Sequence, residues 1–276
     1  MKYFTISQVL SESGTRILEI RNLKPARNIS LRQACLPPTA IHATPPSMAA
    51  NALVIFAKWP LPGQVKTRLC PPLRPDQAAE LARCFLLDTV ERVSRLEEVQ
   101  VWVAFTPADS EPRFRALLPA SVCYLPQRGT DLGERELNIF IDLFEGAATR
   151  VAIMGSDIPS VPLAYLRSAF DLLKNPDCDA VLGPSSDGGY YCIGAQAGHA
   201  GLPALFEHIE WSTEKVMQQT LQQARLHNLN VRLIPRWYDV DTVEDMRKLA
   251  EQLQDMPNED DAPRTRSFLE QIAFLL

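Results

Sequence analysis

The chain lacks the patterns that mark membrane, secreted and nucleic-acid-binding proteins. No apolar run reaches the ~20 residues that a membrane-spanning helix requires, and the first residues have no apolar core of a secretory signal. With 28 Lys and Arg against 33 Asp and Glu, the net charge of -5 offers no broad basic face for nucleic acid. We therefore expect a cytoplasmic protein with no membrane span and no nucleic-acid partner.

Metal and redox motifs built on cysteine and histidine are also missing. The six cysteines form no CxxC pair and no zinc-like spacing. The histidines His199, His208 and His227 show no ligand spacing either. Because several cysteines stand among apolar residues in a chain that looks intracellular, we expect buried free thiols.

Two common phosphate-binding motifs, the P-loop and GxGxxG, are absent, and a different cationic loop stands near residue 60. The apolar run 53–57 predicts a buried strand. The Pro- and Gly-containing loop that follows it carries Lys58, Gly63, Lys66 and Arg68. Because such a loop presents backbone N–H groups and positive charge at the carboxyl edge of a sheet, it favours a phosphorylated ligand, such as a nucleotide or nucleotide sugar.

The chain divides into three parts by composition. Residues 1–50 include a linker-like, Pro-rich stretch, which predicts a disordered extension or a natural start at Met48. Residues 51–254 carry the globular pattern. Residues 255–276 read as an acidic linker followed by an apolar segment from residue 268, which predicts a docking helix.

Strand and helix patterns alternate in the globular part. The predicted strands are residues 53–57, 99–105, 122–125, 151–154, 180–183, 190–193 and 231–234. The predicted helices are residues 75–96, 112–118, 132–148, 162–173, 212–228 and 243–253, with Ser212 or Thr213 as the cap of the fifth. This alternation predicts an α/β fold, a three-layer α/β/α sandwich around a mostly parallel sheet.

An aspartate directly follows the most apolar predicted strand. Asp157 stands in the sequence Gly-Ser-Asp-Ile-Pro. A carboxylate at the carboxyl end of a central strand can hold Mg²⁺ or Mn²⁺, which in turn bridges diphosphate oxygens. An Asp-x-Pro turn also commonly caps the next helix, so the motif alone leaves both roles open.

A glycine pair follows a second aspartate between two apolar runs. Asp187, Gly188 and Gly189 predict a hairpin or loop. The two glycines also let a sugar or phosphate approach the backbone, and Tyr190 and Tyr191 are candidates to line a pocket. Asp187 together with Ser185 and Ser186 supplies more polar groups than a turn needs, which favours a functional loop. A hairpin without a binding role is left as the alternative.

Asp239 and Asp241 precede the last predicted helix. Asp241 is placed as its N-cap, with Glu244 three residues on. If the segment is extended, the two carboxylates project to the same side, which suits a divalent cation. The sequence therefore leaves capping and metal binding open for this pair.

Two other residues are weaker candidates. Asp131 lies in a polar loop that opens a helix, whose N-terminal amides can face an anion or a base edge, or simply be capped. Trp211 can stack on a sugar or base, although an isolated Trp usually packs.

Six segments in this order closely resemble the DUF2064 family, whose members are described as glycosyltransferase-A-like, some linked to arsenosugar biosynthesis. The segments are residues 56–69, 129–135, 155–159, 183–191, 211–213 and 239–242. The resemblance covers about residues 51–254 and implies the nucleotide-diphospho-sugar transferase (GT-A-like) fold. That fold is shared with nucleotidylyltransferases such as 2-phospho-L-lactate guanylyltransferase, whose first loop looks similar. At the position of the usual Asp-x-Asp metal motif, this chain has Ser156-Asp157-Ile158, with a single Asp. One Asp at a strand end together with a distant Asp resembles the metal site of the nucleotidylyltransferases.

The first hypothesis is a metal-dependent transferase that uses a nucleotide sugar and a small-molecule acceptor, with Mg²⁺ or Mn²⁺. Asp157 with Asp239 or Asp241 would hold the metal, and Asp187 would orient or deprotonate the acceptor hydroxyl. The predicted nucleotide-binding residues are Lys58, Gly63, Lys66, Arg68, Asp131, Gly188, Gly189 and Trp211. One alternative is a nucleotidylyltransferase that takes a nucleoside triphosphate and a small phosphorylated acceptor. The other is a non-catalytic nucleotide-binding protein. The oligomeric state is left open.

Overall fold

The computed structural model describes residues 4–10, 16–22, 50–255 and 261–275, which fall into two units. In the N-terminal unit, strand β1 (Phe4–Leu10) pairs antiparallel with β2 (Arg16–Asn22). Apart from these two strands, residues 1–49 lie outside the described residues, and with them the prediction of a disordered extension or a start at Met48.

The second unit contains a seven-stranded sheet. Its strands are β3 (Asn51–Lys58), β4 (Val99–Thr106), β5 (Cys123–Pro126), β6 (Arg150–Gly155), β7 (Ala180–Pro184), β8 (Tyr190–Gln196) and β9 (Val231–Leu233). Their spatial order is β5-β4-β3-β6-β8-β7-β9. Strand β8 runs antiparallel to both neighbours, and the other adjacent pairs are parallel. The prediction of a mostly parallel sheet is confirmed.

Helices cover both faces of this sheet. They are α1 (Pro75–Val93), α2 (Glu111–Leu117), α3 (Leu132–Glu145), α4 (Leu163–Leu173), α5 (Val216–Leu226), α6 (Val243–Gln254) and α7 (Pro263–Gln271). None of the helices in the described ranges is long and apolar enough to cross a membrane.

Alternate residues of the central strand β3 supply the two halves of the core, as the period of a strand requires. Leu53 and Ile55 pack with α1, α2 and α4, whereas Ala52 and Val54 pack with α3 and α5. Because all four side chains are buried, β3 carries apolar residues on both faces. The predicted three-layer α/β/α sandwich is confirmed.

A third apolar cluster joins α1 to the end of the chain. Phe85 of α1, Met246 of α6 and Leu269 of α7 belong to it. The predicted docking helix exists, but α7 begins at Pro263 instead of residue 268. The fully buried carboxylate of Asp88 accepts a hydrogen bond from the Thr265 backbone N–H (2.7 Å), so a distant side chain caps this helix.

Two helix starts differ from the predictions. Helix α5 begins at Val216, four residues late, because Ser212 adopts a left-handed conformation (φ 63°) and ends any helical path there. The N-cap of α6 is Thr242, not Asp241. Thr242 Oγ1 accepts from the Asp245 N–H (3.2 Å), and Asp245 Oδ2 accepts from the Thr242 N–H (2.8 Å), so the box with Glu244 was wrong by one residue. Asp241 is thereby left for another contact.

The five cysteines in the described ranges are free thiols, as predicted. Cys84, Cys178 and Cys192 are buried, but Cys70 and Cys123 are only partly buried, so the prediction of a buried thiol was wrong for Cys123.

Candidate active site

The cationic loop after β3 contacts two aspartates that lie far away in the sequence. Lys66 adopts a left-handed conformation (φ 47°) where the loop enters the single helical turn Thr67–Leu69. Its Nζ atom lies 2.7 Å from Asp157 Oδ2 and 2.7 Å from Asp241 Oδ1. The side chain of Lys66 is only 9% exposed, so these are charge-assisted contacts with little water around the ammonium group.

All three groups of this contact stand at the carboxyl edge of the sheet. Lys66 follows β3, Asp157 follows β6, and Asp241 follows β9. The Val240 N–H also donates to the Asp157 carbonyl oxygen (3.1 Å), which fastens two of these loops together. One cationic loop and two acidic loops therefore meet at this edge.

Opposite charges hold Lys66 and Asp157 in their ionised forms. Burial by itself lowers the pKa of Lys66, but the carboxylates of Asp157 and Asp241 outweigh it and raise that pKa above its ordinary value. Burial likewise raises the pKa of Asp157, and the Lys66 ammonium more than offsets this, so that pKa is lowered. At neutral pH the edge therefore carries an ammonium group between carboxylates.

Three carboxylates converge beside this ammonium. Asp157, Asp239 and Asp241 each offer an oxygen, and these atoms lie within 4.8 Å of one another. Carboxylate oxygens are the ligands that Mg²⁺ and Mn²⁺ prefer, whereas a softer ion would need cysteine or histidine. The donor set therefore fits a hard divalent cation.

Asp239 of this acidic group is harder to ionise than an ordinary aspartate. Burial raises its pKa to about 6, and the nearby charge of Asp157 adds to the rise. The Ser185 hydroxyl donates to Asp239 Oδ1 (2.9 Å) and partly compensates. A carboxylate that is costly to charge here gains most from a cation placed next to it.

The Asp-Gly-Gly segment forms the turn between β7 and β8. Asp187 Oδ1 accepts from the Gly189 N–H (3.0 Å), which is an ordinary turn contact. Gly188 has a φ of 92°, and a Cβ atom there would lie 2.2 Å from the carbonyl oxygen of Glu214. Glycine is therefore required at residue 188 by the close approach of the segment before α5.

A small cavity of about 140 Å³ opens between these loops. Its polar lining consists of Glu136, Asp157, Ser185, Asp187, Asp239, Tyr190 and Tyr191, and Phe56, Ile153 and Met154 are among its apolar residues. Asp187 thus lies beside two of the candidate metal ligands, in addition to its role in the turn.

Sequence reasoning missed Glu136. It sits on the buried face of α3 together with Ile139, Phe140 and Leu143, at the spacing of an apolar stripe. A carboxylate on such a stripe is unusual, and that was the available signal.

The remaining loop residues predicted to bind nucleotide lie at or near the cationic loop. Lys58 Nζ donates to the Gln64 carbonyl (3.0 Å) and so supports the loop itself. Gly63 adopts φ 73° with open space around it. Arg68 is 76% exposed, with a nitrogen 3.5 Å from Asp241 Oδ2, and can reach a ligand at this edge.

Asp131 and Trp211 have structural contacts in the fold, and their predicted role in nucleotide binding stays a prediction. Asp131 caps α3 by accepting from the Glu134 N–H (2.9 Å). Trp211 stacks on Phe206, with ring centroids 6.5 Å apart, and lies so close to Gly133 that a Cβ there would be 2.2 Å from the indole. Neither residue is part of the described cavity lining.

The doubly covered, mostly parallel sheet, with cationic and acidic loops at one edge, has the nucleotide-diphospho-sugar transferase fold. A solved protein from Desulfovibrio desulfuricans, provisionally described as a nucleotide-diphospho-sugar transferase, is 34% identical with a TM-score of 0.76. The match covers 83% of this chain and 97% of that one. The model of a family described as "Uncharacterized protein conserved in bacteria (DUF2064)" matches residues 89–213. The chain belongs to the DUF2064 family, as its motifs predicted.

Two further solved structures are similar to the chain at TM-scores below 0.5. A cytidylyltransferase from Leptospira borgpetersenii is 12% identical with a TM-score of 0.49, over 83% of this chain and 97% of that one. A Mycobacterium tuberculosis protein, Rv0371c, solved in complex with manganese, is 19% identical with a TM-score of 0.43, over 74% of this chain and 100% of that one. Neither likeness is strong enough to support a statement about function. None of the curated proteins compared with the chain matches it.

Proposed function

We propose that the protein is a metal-dependent transferase that uses a nucleotide sugar as donor and a small molecule as acceptor. The observation that carries this proposal is the meeting of Lys66 with Asp157 and Asp241 at the carboxyl edge of the sheet, with Asp239 beside them. α/β proteins bind ligands in the crevice at this edge. The description of the relative from Desulfovibrio desulfuricans supports the same class of donor.

The cations of the first loop would receive the diphosphate. Arg68 is exposed and its guanidinium suits the bidentate binding of phosphate oxygens. Lys66 is held by two carboxylates at a fixed place, so its charge is positioned before the substrate arrives. Together they would stabilise negative charge on the departing nucleotide.

Asp157, Asp239 and Asp241 would hold Mg²⁺ or Mn²⁺. When bound, the metal ion supplies further stabilisation of the charge that develops on the nucleotide diphosphate. The chain's own contribution is to bring three oxygens within 4.8 Å and to offset part of their charge with Lys66.

Asp187 is the candidate to orient or deprotonate the acceptor hydroxyl. One of its oxygens is engaged by the Gly189 N–H, and the residue lines the cavity next to Asp157 and Asp239. A carboxylate that is held by its turn and lines the cavity is placed to act on a hydroxyl group bound there.

Nucleotidyl transfer is the second candidate. The acidic group pairs one strand-end aspartate, Asp157, with two from a distant loop, and no Asp-x-Asp follows β6. The exposed Arg68 also leaves room for charge on a third phosphate group. In that reaction the same groups would bind a nucleoside triphosphate while a phosphorylated acceptor attacks its α-phosphate and pyrophosphate leaves.

Thermal shifts with Mn²⁺ separate these functions. The panel consists of UDP-glucose, GDP-mannose and ADP-glucose, with UTP, GTP, CTP and ATP. Selective stabilisation by a nucleotide sugar supports the proposal, and selective stabilisation by a triphosphate supports nucleotidyl transfer. No shift with any nucleotide contradicts both.

The variant Asp157→Asn tests the site itself. It should lose the metal-dependent shift and keep its fold. Asp171→Asn is the matched control, because Asp171 is an exposed aspartate on α4 that pairs with Lys174. Unchanged nucleotide binding in Asp157→Asn would remove this residue from the metal site.

A further inference from the structure

The buried carboxyl group of Glu136 is not used by any step of the proposed function. It lies in the second turn of α3, is 6% exposed, and lines the cavity that Asp157, Asp187 and Asp239 also line. The Tyr190 hydroxyl donates to its Oε2 atom (2.6 Å). Among the described residues, no hydrogen bond to the other oxygen, Oε1, accompanies this one.

A buried carboxyl group at this position lowers the stability of the fold through its desolvation, which suggests that it serves a function. Its neighbours on α3, Ile139 and Phe140, are apolar core residues, and an apolar side chain would avoid the desolvation of a carboxyl group. Burial raises the pKa of Glu136 to about 8, against a lowering by the Tyr190 hydrogen bond. The group is therefore largely neutral at pH 7, with an oxygen left to donate to or accept from a ligand.

The lining of the cavity indicates what that ligand group is. Among the described residues it contains four carboxyl groups and no Lys, Arg or His. Asp157 and Asp239 belong to the proposed metal site, but beside Glu136 and Asp187 no described residue of the lining offers a cation to a phosphate or carboxylate. Hydroxyl groups can pair with both of these side chains. The volume of about 140 Å³ is below the roughly 300–1,000 Å³ of sites for whole drug-sized ligands, so the cavity takes one group of a substrate.

We propose that Glu136, positioned by Tyr190, recognises the hydroxyl groups of an uncharged sugar in this cavity and so makes the protein select a nucleotide sugar over the bare nucleotide diphosphate. This inference rests on the proposed function. Glu136 is the specificity-determining residue, and Tyr190 is a positioning residue that holds its carboxyl group.

Calorimetric titration in Mn²⁺ tests the assignment with matched pairs of probes: UDP and UDP-glucose, GDP and GDP-mannose, ADP and ADP-glucose. For at least one pair, wild type should bind the sugar conjugate about tenfold more tightly than the diphosphate, the contribution of one or two hydrogen bonds. Glu136→Leu should lose that ratio and keep its affinity for the diphosphate. Glu136→Gln should retain part of it, and Tyr190→Phe should reduce it.

Glu145→Gln, an exposed position on the same helix, is the control and should match wild type. A folded Glu136→Leu protein that keeps the ratio overturns the assignment, and so does one that loses affinity for both probes equally, because that is a purely structural effect. If wild type binds diphosphates but gains nothing from any sugar, the sugar subsite is wrong and the metal and diphosphate site stands. If wild type binds none of the probes, the proposed function fails and this inference with it.

Discussion

The contacts of some residues at the active-site edge can be predicted from the sequence, and those of others cannot. Lys66 and Asp157 were expected to meet because both follow strands, and parallel strands end at one edge. Glu136 was not, because it lies inside a helix and reaches the cavity through the packing of α3 on the sheet. The contacts of Trp211 also depend on tertiary packing that no local pattern encodes.

The buried carboxyl group of Glu136 makes stability depend on pH. Its pKa is raised from 4.5 to about 8 in the folded protein, so between these values the folded state binds more protons than the unfolded state. Stability must therefore fall as the pH rises through this window. Glu136→Gln removes this dependence, and relative to wild type it should gain roughly 2–4 kcal/mol between pH 5 and pH 8.5.

Urea unfolding of both proteins across this pH range measures the difference directly. Other groups that titrate, such as Asp157, are present in both proteins and cancel. A constant difference between the two proteins would show that Glu136 is ionised in the fold at neutral pH.

A comparison of Gly188 with Gly198 separates two reasons for a glycine in the Asp-Gly-Gly turn: the left-handed backbone, and the lack of space for a Cβ atom. Both have a φ of 92°, but a Cβ on Gly188 meets the backbone of Glu214 at 2.2 Å, whereas nothing lies within 4 Å of one on Gly198. Gly198→Ala should cost only the strain of the left-handed backbone, about 1 kcal/mol. Gly188→Ala should cost at least about 2 kcal/mol more, because backbone atoms must move.

Denaturant unfolding of these two variants gives the comparison. Equal losses of stability would mean that the segment before α5 can move aside at little cost. Glycine would then be required at residue 188 only for its positive φ angle.

At the scale of elements, the predictions were best where one pattern repeats and weakest where a distant group sets a boundary. The strands and most helices followed from apolar periodicity. Helix α5 began late because Ser212 turns left-handed, and α7 began early because Asp88 of α1 caps it. A cap supplied from a residue 177 positions away leaves no local sequence signal.

The contact of Asp88 with α7 should determine how firmly the C-terminal helix is held. Asp88 is fully buried and accepts from the Thr265 N–H (2.7 Å) and from the Arg264 guanidinium (3.1 Å). Asp88→Ala removes the cap and leaves the buried Thr265 N–H without a partner, which should cost about 2–3 kcal/mol, whereas Arg264 keeps its contact with Glu91 (2.7 Å). Glu80→Ala on the same helix loses an exposed pair with Arg83 and a long contact with the Cys84 thiol (4.0 Å), and it should cost under about 1 kcal/mol.

Hydrogen exchange measures the loss of stability in Asp88→Ala and shows which part of the structure it affects. In Asp88→Ala, amides of residues 263–271 should exchange faster while those of β3 keep their protection at mild conditions. Uniform loss of protection over the whole domain would instead show that α7 and the sheet unfold as one unit.

For the whole molecule, the fold brings together charges that no single element balances. Three carboxylates and the diphosphate of a bound nucleotide would share one edge with Lys66 and Arg68 as the nearby cations. Two cations cannot offset that much negative charge, so a divalent ion and the nucleotide should each strengthen the binding of the other. We expect the nucleotide to bind 10–100-fold more tightly in Mn²⁺ than in EDTA, a coupling of about 1.4–2.8 kcal/mol.

The coupling is reciprocal, which makes the expectation testable from both sides. Titration of nucleotide with and without Mn²⁺, and of Mn²⁺ with and without nucleotide, must give the same factor if both ligands share this edge. Lys66→Met removes a cation that bonds two of the carboxylates and should increase the factor, because more of the negative charge then depends on the metal. Equal nucleotide affinity in Mn²⁺ and EDTA would place the nucleotide away from the three aspartates, and the proposed transferase site would have to be abandoned.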